Sequence, residues 1–160
     1  MKPTIRQQRL DPLNLATVNA HQVGGDHYKT AIEHWDFVVA CSLNYLEGNA
    51  TKYLSRSHKK SGLQDLQKAL HYVRKLIAVV EWERARGRFE RLLNPKPELK
   101  PARQRNRQPL KWLDFCEVNT IPGELQDFVA VLANWADLDE LHEAEAALSN
   151  HLADRFNVKV

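Results

Sequence analysis

Apolar side chains along this chain recur at intervals of three and four residues, the spacing that lines one face of a helix. Ile32, Trp35, Phe37, Val38, Val39 and Leu43 mark a first helix over 32–43. Asn44 followed by Glu47 has the pairing of a capping box, so a second helix is expected to start there and run to about Arg56. After the basic turn His58-Lys59-Lys60, Ser61 and Gln64 repeat that signal. Leu63, Leu66, Leu70, Val73, Leu76, Ile77, Val80 and Phe89 then carry a long third helix from near Gly62 to about 93. Leu110 to Val118, Pro122 to Trp135 and Leu138 to Phe156 read as three shorter helices, with Pro122 suited to a first turn and Asp137 with Glu140 repeating the cap. Alternating strand patterns are essentially absent. The expected fold is all-α: a small helical core with one long helix, plus a C-terminal helical extension.

Polar stretches divide this pattern. Residues 1–22 show no periodicity and read as a flexible arm. Residues 23–93 form the helical core. Residues 94–109 hold four prolines and five basic groups with almost nothing to bury, which reads as a linker. Residues 110–160 carry three Lys or Arg against ten Asp or Glu, leaving 20 basic and 10 acidic groups for residues 1–109. The first part is therefore suited to anions, and the acidic tail is expected to pack on the basic half of its own or a neighbouring chain through Leu125, Phe128, Val129 and Leu132. Cys41 and Cys116 lie within apolar helical patterns and read as buried thiols. No apolar stretch approaches the roughly 20 residues needed to span a bilayer, and Met1 to Ala16 lacks a signal-peptide centre, so a cytoplasmic protein without a membrane partner is expected.

The candidate chemistry lies between residues 44 and 72. Lys52 and Arg56 are four positions apart and share a helical face with Asn49. Arg56 suits a bidentate phosphate clamp and Lys52 a point charge; the bland alternative is a solvated basic face. Gly48 inside a helix costs about 1 kcal/mol relative to alanine, which points either to close approach by a ligand or to helix packing. Asp65, Lys68 and Tyr72 fall at i, i+3 and i+7, where they could hold a hydrated Mg²⁺, a phosphate and a base or sugar, or form only a helix-start carboxylate with an intrahelical ion pair. Glu47 is explained better as a capping residue than as a metal ligand. Asp26, His27 and Tyr28 stand in a glycine-bearing loop, where His27 could contact phosphate and Tyr28 stack on a nucleobase. His21, His34, His58, His71, His142 and His151 form no metal pattern. No Gly-x-x-x-x-Gly-Lys-Ser/Thr loop is present, so any phosphate cradle must be of another kind.

The pieces Gly24-Gly25-Asp26-His27-Tyr28, Glu47-Gly48-Asn49, Lys52-Tyr53, Arg56, Lys60-Ser61-Gly62, Asp65-Leu66, Lys68-Ala69 and Tyr72 occur in this order and spacing. Together they resemble a phage-encoded family long labelled only as a domain of unknown function. A better studied relative of that family is the nucleotide kinase of short-tailed phages that lacks a P-loop. The resemblance spans residues 23 to about 80. It implies a small helical homo-oligomer in the infected bacterial cell that handles deoxynucleoside monophosphates; phosphoryl transfer from ATP or another nucleoside triphosphate belongs to that relative and not to the family generally, and as such an enzyme this chain would use Mg²⁺ as cofactor. Carried onto this chain, the catalytic positions would be Arg56, Lys52 and Asp65, with Asp65 the metal ligand. His27, Tyr28, Asn49, Lys52, Tyr53, Arg56, Lys60, Lys68 and Tyr72 would hold the nucleotide.

Three other readings compete. The same pocket could sequester a nucleotide without turnover and so act on host metabolism or defence. Nucleic-acid binding through Arg103, Arg105 and Arg107 is opposed by the acidic tail and by the absence of a reading motif. A helical pyrophosphatase would need clustered carboxylates, whereas Lys and Arg dominate here. Assembly into oligomers is expected because Trp82 and Phe89 project beyond what a three-helix core can cover.

Overall fold

The computed structural model describes residues 32–59, 62–93, 99–106 and 111–159. The expected arm at 1–22, the loop residues His27 and Tyr28, and Lys60 and Ser61 lie outside them, as does the side chain of Phe89. The described elements are all helical, in the order α1 (His34–Ala40), α2 (Tyr45–Ser57), α3 (Gly62–Ala85), α4 (Arg88–Leu93), α5 (Ala102–Arg105), α6 (Lys111–Val118), α7 (Gly123–Asn134) and α8 (Leu138–Phe156). Among the described residues no helix is long and apolar enough to cross a membrane.

The caps behave as their chemistry requires. The Asn44 side chain accepts from the backbone N–H groups of Leu46 and Glu47, while Glu47 Oε2 accepts from the Asn44 N–H at 2.7 Å, so the capping box is complete. At α8, Asp137 accepts from the Glu140 N–H at 3.0 Å, and Glu140 Oε2 reaches back to the N–H of Ala136. Pro122 is the N-cap of α7, one residue ahead of the first turn expected for it.

Two helix ends depart from the sequence pattern. α1 stops at Ala40, three residues before Leu43, because Ser42 takes a left-handed backbone (φ 53°). The Leu43 N–H then bonds the Val38 carbonyl and the Ser42 N–H that of Val39, which together form a Schellman end. The same geometry closes α6 at Thr120 (φ 54°). The long helix is also shorter than expected. It ends at Ala85, and the separate α4 follows Gly87, a residue whose place in a helix costs about 1 kcal/mol relative to alanine.

Arg56 pairs with Asp65 and Tyr53 with Tyr72, so later residues of α3 meet earlier residues of α2 and the two helices form an antiparallel hairpin. α7 packs against α2, and α8 packs against α3 and α7, so the acidic tail covers the hairpin of its own chain. Leu54, Leu70, Leu76, Val129, Leu132, Leu141, Leu148 and Leu152 share one buried core. Arg74 Nε donates to Glu145 Oε1 at 2.7 Å across this seam, joining the basic and acidic halves.

Within the segment expected to tether the tail, the described residues 99–106 are packed in. Ala102 is fully buried, the Arg103 N–H donates to the Trp135 carbonyl, and the Asn106 side chain donates to Ala133 O and Asn134 Oδ1. Residues 99–106 therefore form a strap fastened across the domain. Its small Ala102 lets the backbone approach α7 closely, a property that its many charges conceal in the sequence.

Candidate functional site

Tyr45, Asn49, Lys52, Tyr53 and Arg56 follow one another at i, i+4, i+7, i+8 and i+11, a single stripe along α2. Asp65, Lys68 and Tyr72 make the matching stripe on α3. The hairpin sets these stripes side by side around the ring of Tyr53. The Arg56 guanidinium lies 4.6 Å from the ring centroid, Lys68 Nζ 5.5 Å and Lys52 Nζ 5.9 Å. Tyr72 stacks on Tyr53 with centroids 5.8 Å apart, and Tyr45 meets Tyr72 edge-on at 6.2 Å.

Asp65 organises the cations. Its side chain is 0% exposed, and it sits in the first turn of α3, where the helix dipole favours negative charge. Arg56 Nε donates to Asp65 Oδ2 at 2.9 Å and Nη2 to Oδ1 at 2.8 Å, a bidentate fork that fixes the guanidinium plane. Lys68 Nζ is 3.9 Å from the same carboxylate and remains 46% exposed. Lys52 has no acidic partner among the described residues. Among the described residues, three cations thus gather at one ring around one buried carboxylate, an excess of positive charge.

The field of Lys52 is felt nearby. Burial, followed by the Lys52 charge, lowers the His34 pKa to about 4, so His34 stays neutral at ordinary pH while its Nε2 lies 3.0 Å from Thr51 Oγ1. A hydrogen bond with the Tyr45 side chain is the main cause pushing the Tyr72 phenol above its usual value. Burial likewise raises the thiols of Cys41 to about 11 and Cys116 to about 12, as inert buried cysteines should be.

Of the residues expected at the site, the structure brings together Lys52, Tyr53, Arg56, Asp65, Lys68 and Tyr72. Asn49 lies on the same stripe, where its Nδ2 donates to the Tyr45 carbonyl at 2.8 Å. His27, Tyr28 and Lys60 lie outside the described residues. Asp65 does not fit the Mg²⁺ ligand expected of it, because it is buried and both oxygens are engaged by Arg56. Its role is to anchor Arg56. Among the described residues no three His, Cys, Asp or Glu side chains converge as metal ligands. Gly48 faces α1, where a β-carbon would lie 3.4 Å from Val38 Cγ2, at ordinary contact distance.

Two features escaped the sequence pattern. Tyr45 extends the aromatic group, and its i+4 and i+8 relation to Asn49 and Tyr53 was the available signal. Glu47, the capping residue, is also the centre of a buried polar hub. Its Oε1 accepts from Trp135 Nε1 at 2.6 Å and from Arg105 Nη2, while Arg105 Nη1 donates to the Ser42 carbonyl. No local spacing announces partners so far apart in the chain.

Residues 23–74 match the sequence profile of a family described as a protein of unknown function, DUF3310. The match covers the α1–α2 region and the first half of α3, which includes the whole Tyr53 cluster, and a minority of the chain. No curated protein and no solved structure matches.

Proposed function

We propose that the Tyr53 face binds a nucleoside monophosphate. The observation that carries this reading is the convergence of Arg56, Lys52 and Lys68 on one tyrosine ring, with a single buried carboxylate between them. A phosphate monoester carries roughly −1.5 to −2 charge at neutral pH, which this excess of positive charge suits. Tyr53 is enclosed by Arg56 and Tyr72, so it serves as the plate on which the cations gather. Tyr45, 74% exposed, offers the free ring surface for a base, and stacking of that kind contributes about 1–3 kcal/mol.

Phosphoryl transfer from ATP to the bound monophosphate, the activity implied by the resemblance, is the finer form of this reading. The engagement of Asp65 by Arg56 favours plain binding instead, since it removes the carboxylate that the transfer reading needed. Calorimetry with a panel of deoxynucleoside monophosphates tests binding, and diphosphate formation with Mg-ATP tests transfer. Binding is expected for at least one nucleotide, weakened tenfold or more in Lys52→Ala/Lys68→Ala with an unchanged melting temperature. Absence of binding across the panel, or wild-type affinity in that variant, overturns the site. Diphosphate formation that the variant loses would establish transfer over sequestration.

A further inference from the structure

A cavity of about 330 Å³ lies between the last turns of α3 and the strap at 99–106, away from the Tyr53 face. Val80, Leu99 and Trp135 give it a small apolar patch within a lining that is otherwise more polar. The polar groups of Trp135 are already engaged: its backbone N–H goes to Val131, its carbonyl accepts from Arg103, and its indole N–H goes to Glu47. The charged lining is Glu83, Arg84 and Lys100. Glu83 Oε2 accepts the Leu99 N–H at 3.3 Å and is thereby tied to the wall. Arg84 and Lys100 have no ion pair among the described residues, so the described lining carries one positive charge in excess. Its outer wall does not depend on a ligand for shape, since Arg103, Arg105 and Asn106 fasten the strap to Trp135, Glu47, Ala133 and Asn134. Preformed concave sites with an apolar floor and a few polar groups are what small ligands select.

We propose that this cavity is a second binding site, for a small monoanion with an apolar body such as an aromatic or branched aliphatic carboxylate. The apolar body lies against Val80, Leu99 and Trp135, and the carboxylate is held by Arg84 and Lys100. Charge balance selects a monoanion over a phosphate dianion. A body of roughly ten heavy atoms lies within the space available.

Benzoate is the probe, titrated into ¹⁵N-labelled protein, with benzamidine as the cationic control of the same shape. Saturable shifts are expected at the Leu99 amide and the Trp135 indole N–H with benzoate and not with benzamidine. Arg84→Glu/Lys100→Glu should weaken benzoate at least tenfold, and the milder Arg84→Gln/Lys100→Gln should weaken it in the same direction if charge reversal disturbs the fold. Nucleotide binding at the Tyr53 face, measured alongside, should not change, so the two sites stand or fall separately. Unsaturable shifts, equal shifts with benzamidine, shifts centred on Lys52 and Tyr72, or undiminished benzoate binding in both variants would overturn the proposal.

Discussion

Arg105→Ala tests the polar hub that joins the strap to the hairpin. Glu47 is 0% exposed and keeps two neutral donors, the Asn44 N–H and the Trp135 indole, when Arg105 is removed. Breaking a buried ion pair typically costs about 3–5 kcal/mol, because a charge is left buried without compensation. The two remaining hydrogen bonds and the 18% exposure of Arg105 put this case near the lower end. Loss of the Arg105 bond to the Ser42 carbonyl adds about 1 kcal/mol, for a total of about 4 kcal/mol. That is a large share of the roughly 5–15 kcal/mol that stabilises a domain. Urea unfolding followed by circular dichroism measures it. A double-mutant cycle with Glu47→Gln isolates the pair, and residues in one such network couple by about 0.5–3 kcal/mol. The neutral amide introduced by Glu47→Gln does not need the cation, so Arg105→Ala in that background should cost about 2 kcal/mol less, within this coupling range. A loss below about 1 kcal/mol for Arg105→Ala, or strictly additive effects, would show that the hub is solvated and that the strap is held by packing alone.

Arg56→Ala should lower nucleotide affinity and also destabilise the ligand-free protein by about 3 kcal/mol, since Asp65 would be left buried with only Lys68 nearby; an unchanged urea midpoint would refute the buried pair. The sequence alone suggests an unchanged or raised melting temperature for that variant, because it shows repulsion with Lys52 and Lys60 and not the carboxylate. His34 has a folded pKa of about 4, below its ordinary 6.5, so the unfolded state takes up the proton first. Stability should therefore be full above pH 6.5 and fall by up to about 3 kcal/mol between pH 6.5 and 4. In His34→Gln that part of the pH dependence of the urea midpoint should vanish; persistence of the same slope would assign it to other groups. Gly48→Ala should be neutral or stabilising by up to about 1 kcal/mol, since its methyl meets Val38 at ordinary contact distance while the helix gains alanine's propensity; a loss above about 1 kcal/mol would mean that α1 and α2 cannot accommodate the methyl.

What the sequence revealed depended on the range of the interaction. The starts of α2 and α8 were legible because Asn44 and Asp137 bond to groups within three residues of themselves. The end of α1 was not, because Ser42 occupies a left-handed position where glycine would have been the signal, whereas the last apolar residue of α6, Val118, marked its end correctly. Lys52, Tyr53 and Arg56 were legible as one face from helical spacing. That Asp65 would anchor Arg56, and so leave the metal role expected of it, depended on how two helices dock. Arg105 reads as one charge in a proline-rich linker, since nothing near it in sequence reveals that Glu47 and Trp135 wait in the core.

The position of Glu47 in the chain bears on the order in which the protein assembles. Its partners Arg105 and Trp135 lie 58 and 88 residues further along. The α2–α3 hairpin needs only local closure and can form early, whereas a contact across so long a loop carries a larger entropic cost and slows folding. During synthesis the hairpin therefore leaves the ribosome with this carboxylate still hydrated. It becomes dry only after the polypeptide has been made past Trp135, so final consolidation waits on residues that the hairpin itself does not contain.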